Sequence, residues 1–288
     1  LKPSTAGAKV MRVSMLFQPD AAFMAWFEGI ENIDHAEYVK SVQDIAQDAQ
    51  LGDTPEARLD NIARSRKIAQ LLIYVTYAAA AWVWFYPHPY TLALPVNAAL
   101  PWLAIALCWK YGRSFSIEDP GKNTAQADLT LLLILPGAVL SVRALMDINL
   151  VDWHALILPT IVGTVLMAWV AVRAAPGLRR RVGKLLLMTL FLLWYQASAL
   201  TLANVLADYS QPDQYRVTVL GKRHTTGKNS SQYFSVTAWG ESVKDNNEVQ
   251  VSWNLYQATA VGETVCVSRH AGALGMAWYT VGDAPACK

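Results

Sequence analysis

Apolar positions along this chain fall into long runs between Ile68 and Leu206 and into alternating positions near its end. Five runs stand out: Ile68 to Tyr86, Tyr90 to Trp109, Asp128 to Met146, Ala155 to Val172 and Leu185 to Leu206. Each approaches the roughly 20 residues needed to cross about 30 Å of hydrocarbon at about 1.5 Å per residue. Segments such as LLIYVTYAAAAWVWFY and LLLMTLFLLWY carry no polar stripe at helical spacing, which a buried helix of a soluble protein would show. The pattern predicts about five transmembrane helices, the first two joined as a hairpin by Pro87, His88 and Pro89.

After Asp208 the period changes from 3.6 to 2. Strands are expected from Tyr215 to Val219, Tyr233 to Trp239, Val249 to Leu255 and Thr264 to Ser268, with a fifth around Trp278 and Tyr279. Turn residues separate them: Gly227 and Asn229 in a loop from Lys222 to Ser231, a second loop from Lys244 to Asn247, Gly262-Glu263, and the pair Gly272 and Gly275. About 80 residues in short strands suit an OB- or SH3-like barrel or a sandwich. Ahead of the first span, helices are expected over Ala21 to Ile30, with Phe23, Trp26 and Phe27 on one face, and from Asp34 with Glu37 as a capping pair toward Gly52. A third helix, opened by Thr54 and Pro55, runs on into span one. The domain plan is therefore a helical region over 1–67, a five-helix membrane domain over 68–207 and a small all-β domain over 208–288.

Charge adds a direction to this plan. Arg58, Arg64, Arg66 and Lys67 precede span one, Lys110, Arg113 and Lys122 follow span two, and Arg173, Arg179, Arg180, Arg181 and Lys184 lie between spans four and five. The alternate connections, Pro87 to Pro89 and Asp147 to His154, hold no Lys or Arg. By the excess of basic residues on the cytoplasmic side, the N-terminus is expected inside and the β-domain outside, as in a bacterial inner-membrane protein with a periplasmic domain. Trp84, Tyr86, Tyr90 and Trp153 would mark the outer interface, and Trp109 and Tyr111 the inner one. The sequence begins at Leu1, so an upstream segment or a tag is expected; Arg12, Gln18, Pro19 and Asp20 leave no signal-peptide core within it.

Composition agrees: 53% of residues are hydrophobic and 16% charged, with mean hydropathy +0.22. The net charge of +2 is too small to suggest a nucleic-acid partner, so the expected partners are the lipid bilayer, from the apolar runs, and other proteins. Of three cysteines, Cys108 lies in span two, while Cys266 and Cys287 share the domain expected in an oxidising compartment and are predicted to form a disulfide.

Candidate chemistry is sparse. No phosphate loop, dinucleotide fingerprint, zinc-protease motif, haem attachment or nucleophile elbow occurs, so no cofactor and no catalytic residue is expected. His88 and His154 are weak metal candidates at the outer ends of spans one and four, with Asp147 and Asp152 nearby in sequence. Arg143 and Asp147, one helical turn apart, form the candidate polar site in the membrane, either lining a path or anchoring a helix end. Trp239, Trp253, Tyr256, Trp278 and Tyr279 are candidate interface anchors, since Trp and Tyr are enriched where proteins bind one another. The expected role is a non-catalytic membrane component that binds other proteins through its outer β-domain, as an accessory subunit or scaffold. Two alternatives stand beside it: a small transporter or channel subunit using Arg143 and Asp147, and a membrane enzyme or sensor without a recognisable motif.

Overall fold

The computed structural model of the protein describes residues 39–40, 42–43, 46–112, 114–117, 126–180, 182–225, 231–240 and 248–287. By their contacts these divide into a small unit ending at Leu59 and a large one starting at Asp60. The expected helices over Ala21 to Ile30 and the Asp34–Glu37 cap lie outside the described residues. In the small unit, the Thr54 hydroxyl accepts from the Ala57 amide at 3.2 Å, with Pro55 as the first helical residue. Arg58 donates to the carbonyls of Gly52 (2.7 Å) and Ala46 (2.6 Å), satisfying acceptors just ahead of that helix.

Among the described residues, five helices are long and apolar enough to cross a membrane: α1 (Pro55–Phe85), α2 (Tyr90–Tyr111), α3 (Thr130–Asp147), α4 (His154–Ala174) and α5 (Val182–Leu206). The continuous helix expected from Pro55 into span one is present as α1. A minimal parallel pair, β1 (Phe115–Ser116) and β2 (Ala127–Asp128), precedes α3.

Apolar area alone does not hold such helices together, because lipid tails are as apolar as leucine; small residues and hydrogen bonds do. Gly137 lets α3 approach α5 so closely that a Cβ there would lie 3.1 Å from that of Tyr195. One turn on, the hydroxyls of Ser141 and Ser198 meet at 2.6 Å. Tyr195 donates to the Ala98 carbonyl of α2 at 2.5 Å, Asn97 to the Ala79 carbonyl of α1 at 2.9 Å, and Gln196 to the Gly163 carbonyl of α4 at 3.2 Å. Such contacts contribute about 0.6 kcal/mol each on average. Pro95, Pro101, Pro136 and Pro159 all lie inside helices that continue past them.

The C-terminal region is a nearly closed antiparallel barrel of six strands in the order β3-β8-β7-β4-β5-β6. Its members are β3 (Asn149–Leu150), β4 (Asp213–His224), β5 (Gln232–Val236), β6 (Glu248–Val251), β7 (Thr264–His270) and β8 (Trp278–Asp283). β4 pairs with β7 over Asp213 to Thr218 and with β5 from Val219 to His224, the β5 pairing shifting register between Val219 and Gly221. That irregularity lets one strand turn the corner between two halves of the sheet. Closure comes from β8, where the Tyr279 hydroxyl accepts from the Gln250 amide of β6 at 3.1 Å. Alternate positions Val217, Val219, Phe234, Val236, Val249, Val251, Val265 and Val267 fill the interior.

Three expectations need correction. The strand expected from Val249 to Leu255 ends at Val251, and Trp253–Ala258 form a short helix, α6. Ser252 starts it by accepting from the Leu255 amide at 3.3 Å, so a cap signal overrides the apparent alternation. The strand expected through Trp239 stops at Val236. The sixth strand, β3, comes from the connection between α3 and α4, where no strand was expected. Of the expected loops, Gly227 and Asn229, like Lys244 to Asn247, lie outside the described residues, whereas Gly262, Gly272 and Gly275 adopt positive φ in turns as expected.

Cys266 and Cys287 are disulfide-bonded with Cα atoms 5.4 Å apart, and the Arg216 guanidinium donates to the Cys287 carbonyl at 3.2 Å. The bridge ties the C-terminus to β7, and such bonds persist in oxidising compartments. With its cysteines 21 positions apart in sequence, replacing both by Ser is expected to lower barrel stability by about 3 kcal/mol. Urea unfolding followed by tryptophan fluorescence checks this, alongside mass mapping of peptides without reduction.

Candidate functional site

The end of the helix bundle that carries the barrel gathers most of the polar groups singled out from the sequence. Helix α1 stops before Pro87 and leaves its last carbonyls without amide partners, a costly state away from water. Arg143 of α3 supplies them, donating from Nε to the Val83 carbonyl at 2.8 Å and from Nη2 to the Trp84 carbonyl at 2.6 Å. Its Nη1 lies 3.5 Å from Asp147, whose Oδ2 also accepts from the Tyr90 hydroxyl at 2.9 Å. A guanidinium suits this task because its donors form a fixed fork. The group thus joins α1, α2 and α3 at one point, and its Tyr90 and Asp147 line a cavity of about 330 Å³ with Leu94, Ile148, Leu202 and Val205.

A second polar joint fixes the barrel to α5. Asn204 is fully buried in its last turn and grips the turn before β8 from both sides. Its amide donates to the Met276 carbonyl at 2.8 Å, its side-chain oxygen accepts from the Leu274 amide at 2.8 Å, and its backbone carbonyl accepts from the Ala273 amide at 3.1 Å. Four residues on, Asp208 Oδ2 accepts from the Gly272 amide and from Trp278 Nε1, both at 2.8 Å, while Oδ1 accepts from the Ser210 amide at 2.9 Å. Gly272 is required twice over. Its φ is +79°, and a Cβ there would sit 2.3 Å from the Met276 carbonyl and 2.6 Å from the Asn204 amide group. The Trp278 ring also stacks on His270 at 4.0 Å between centroids.

Electrostatics follow from these contacts. Partial desolvation would raise the Asp208 carboxyl, but the Ser210, Trp278 and Gly272 donors outweigh it and hold the group well below the usual carboxylate range. His270 is lowered by desolvation, with the Asp208 charge opposing. On the barrel wall Arg223 makes a two-pronged contact with Glu248, and its hydrogen bond lowers the Glu248 carboxyl.

The other sequence candidates separate. His88 sits between the Tyr86 and Tyr90 rings at 5.3 and 5.1 Å, while His154 bonds Asp152 at 2.8 Å. Among the described residues no three His, Cys, Asp or Glu side chains are grouped as a metal site. Trp239, 4% exposed, lies in the barrel interior against Tyr215 and Tyr279. Tyr279 closes the barrel and Trp278 serves the α5 joint. Trp253 alone of the five tryptophan and tyrosine candidates is largely open, at 51% exposure on α6, stacked on Tyr256 and flanked by His224. Lys222 holds that helix by donating to the Tyr256 carbonyl and, at 2.7 Å, to the Thr259 carbonyl. The sequence reading missed Asn204 and Asp208 as a joint. The available signal was two amide or acid side chains four apart at the end of an apolar run, followed far along by a turn bracketed by two glycines.

Replacing Arg143 by Ala leaves two helix-end carbonyls without their donor and Asp147 without its charge partner. A loss of about 2–5 kcal/mol is expected, with Arg143→Lys falling between, as measured by thermal unfolding in detergent. The pH dependence has a definite sign. A His held below its ordinary value of 6.5 destabilises the fold once protonation begins, so stability is full above about pH 6.5 and falls below it. Asp208 and Glu248, both held low, contribute stability above about pH 4 that is lost as they protonate. Melting temperature measured from pH 8 to pH 3 should therefore fall in two stages, and Asp208→Asn should shrink the lower one.

Compared with known proteins, the chain matches no family model, no curated protein and no solved structure.

Proposed function

We propose that the protein is a non-catalytic component of a membrane assembly that binds another protein through its β-barrel, with the N-terminus in the cytoplasm and the barrel in the periplasm of a bacterial inner membrane. The observation that carries this reading is the aromatic platform on α6. Trp253 stacks on Tyr256 with rings 16° from parallel, His224 flanks both, and Lys222 lies 4.4 Å over the Tyr256 ring while holding the end of the helix. Rings already fixed before binding lose little conformational freedom on association, which is what makes aromatic anchors effective.

The transporter reading has less in its favour, because Arg143 uses its donors on the end of α1 and on Asp147. An arginine so engaged acts as a cap and holds no donor pair ready for a solute.

The orientation draws support from two sources. The basic residues segregate to alternate connections, and β3, within a connection that holds no Lys or Arg, pairs with β8 of the barrel. The barrel therefore shares its end of the bundle with the connections that the charge rule assigns to the outside. A disulfide within the barrel fits the same side.

Reporter fusions after Lys122 and Lys288 test the orientation: activity confined to the cytoplasm is expected for the first and to the exterior for the second. For the binding role, a photo-crosslinker in place of Trp253 should give one discrete adduct, and Trp253→Ala should abolish co-purification of that partner, by tenfold or more, without changing barrel unfolding. An unchanged yield of partner from Trp253→Ala rejects this surface.

A further inference from the structure

The cavity beside the Arg143 group carries an acid in an otherwise largely aliphatic wall. It measures about 330 Å³ and lies between α2, α3 and α5 at the end of the bundle that carries the barrel. Its polar residues are Tyr90, the first of α2, and Asp147, the last of α3. Leu94 and Leu202 line it one helical turn deeper, and the rest of the lining is aliphatic too. The wall therefore grades from a carboxylate and a phenol at the helix ends to hydrocarbon within the bundle. Trp84, Tyr86 and Trp153, all exposed at this same end, agree with a membrane interface at that level.

Asp147 is only partly used by the chain. Its Oδ2 accepts from the Tyr90 hydroxyl and lies 3.5 Å from Arg143, whereas its Oδ1 has no hydrogen-bond partner among the described residues. The side chain is 28% exposed, so it is not sealed within the protein. Arg143 is absent from the cavity lining, and its Nε and Nη2 donate to the Val83 and Trp84 carbonyls. The charge that a ligand meets in the cavity is therefore negative. An anion is repelled by that carboxylate. A small water-soluble amine would meet the charge but leave the aliphatic wall to water. A cation with hydrocarbon attached satisfies both parts of the lining.

We propose that this cavity binds phosphatidylethanolamine from the surrounding bilayer: the headgroup ammonium donates to Asp147 Oδ1, and the upper part of one acyl chain lies against Leu94, Leu202 and Val205. The order of the lining, polar at the helix ends and aliphatic below, matches the order of headgroup and chain across a leaflet. A primary ammonium carries three donors and forms a charge-assisted hydrogen bond with a carboxylate. The quaternary ammonium of phosphatidylcholine has no N–H to donate, and phosphatidylglycerol has no cation at all. The first is therefore a control for the hydrogen bond and the second for the charge. The volume falls at the lower end of the range for small-molecule sites, which suits part of a lipid rather than all of it.

The test uses the full chain in nanodiscs holding equal amounts of phosphatidylethanolamine, phosphatidylcholine and phosphatidylglycerol with identical acyl chains. After transfer to mild detergent, native mass spectrometry counts the lipid retained. The wild type should keep phosphatidylethanolamine over phosphatidylcholine by about tenfold, the worth of one charge-assisted hydrogen bond. Asp147→Asn should bring the two to equal retention. Val205→Phe, which fills the cavity and leaves Tyr90, Arg143 and Asp147 in the chain, should lower phosphatidylethanolamine to the level of phosphatidylcholine. Equal retention of these two lipids by the wild type overturns the site, as does a preference for phosphatidylglycerol or an undiminished preference in Asp147→Asn. A stable homodimer crosslinked through Leu206→Cys overturns it too, since protein would then cover the cavity. Should either variant fail to fold, the wild-type comparison of the three lipids still decides. None of these outcomes depends on the Trp253 surface, so the two readings stand or fall separately.

Discussion

The placement of the barrel on the helices depends on one joint, the grip of Asn204 and Asp208 on residues 272–278. These side chains lie one turn apart on the last turn of α5 and its exit, so they face the same way and act on the same segment. Between them they satisfy backbone groups on both sides of a turn that would otherwise be buried unpaired against the helix end. Gly272 permits the approach, and no other residue would fit both its backbone angle and its space. The short β3 pairing adds a second attachment from the α3–α4 connection. The barrel is thus attached to the bundle at two separate points, through the end of α5 and through the α3–α4 connection.

A common device secures helix ends and loops elsewhere. Arg143 covers the last carbonyls of α1, Lys222 those of α6, and Arg58 the carbonyls of Gly52 and Ala46. In each case a cation donates to backbone carbonyl oxygens. The negative end of the helix dipole favours a cation at the C-termini of α1 and α6, and low dielectric strengthens the attraction at Arg143. Lys222 and Arg143 come from distant parts of the chain, so capping is also tertiary packing. This shows how an arginine near the end of an apolar span can read as a functional charge in sequence while serving as a structural cap.

Within the helices, polar side chains are spent on contacts between neighbours, as at Ser141–Ser198 and Gln196–Gly163. Thr160 and Thr164, both on α4, are the exceptions among the buried hydroxyls of the described helices, with no hydrogen-bond partner within the chain.

The five helices, their approximate ends, the Thr54–Pro55 start of α1 and the turns at Gly262, Gly272 and Gly275 were legible in the sequence. Each rests on a local property: the length of an apolar run, a capping residue, a glycine where φ is positive. The disulfide was legible as well, because two cysteines in one small domain have few alternatives. The error over Trp253 was local too: Ser252 carried the cap, but two apolar residues at alternate positions mimicked a strand. What only the tertiary structure decided were the partners of long-range contacts. Asn149 pairs with Tyr279, Asn204 bonds Met276, and Arg143 reaches back to Val83. Nothing in the local pattern of residues specifies such pairings, because each depends on where chain segments far apart in sequence come to rest. The same holds for the fates of the aromatic candidates. Period and composition name Trp239, Trp253, Trp278 and Tyr279 alike, while closure of the barrel buries Trp239, commits Tyr279 and Trp278 to hydrogen bonds, and leaves Trp253 open.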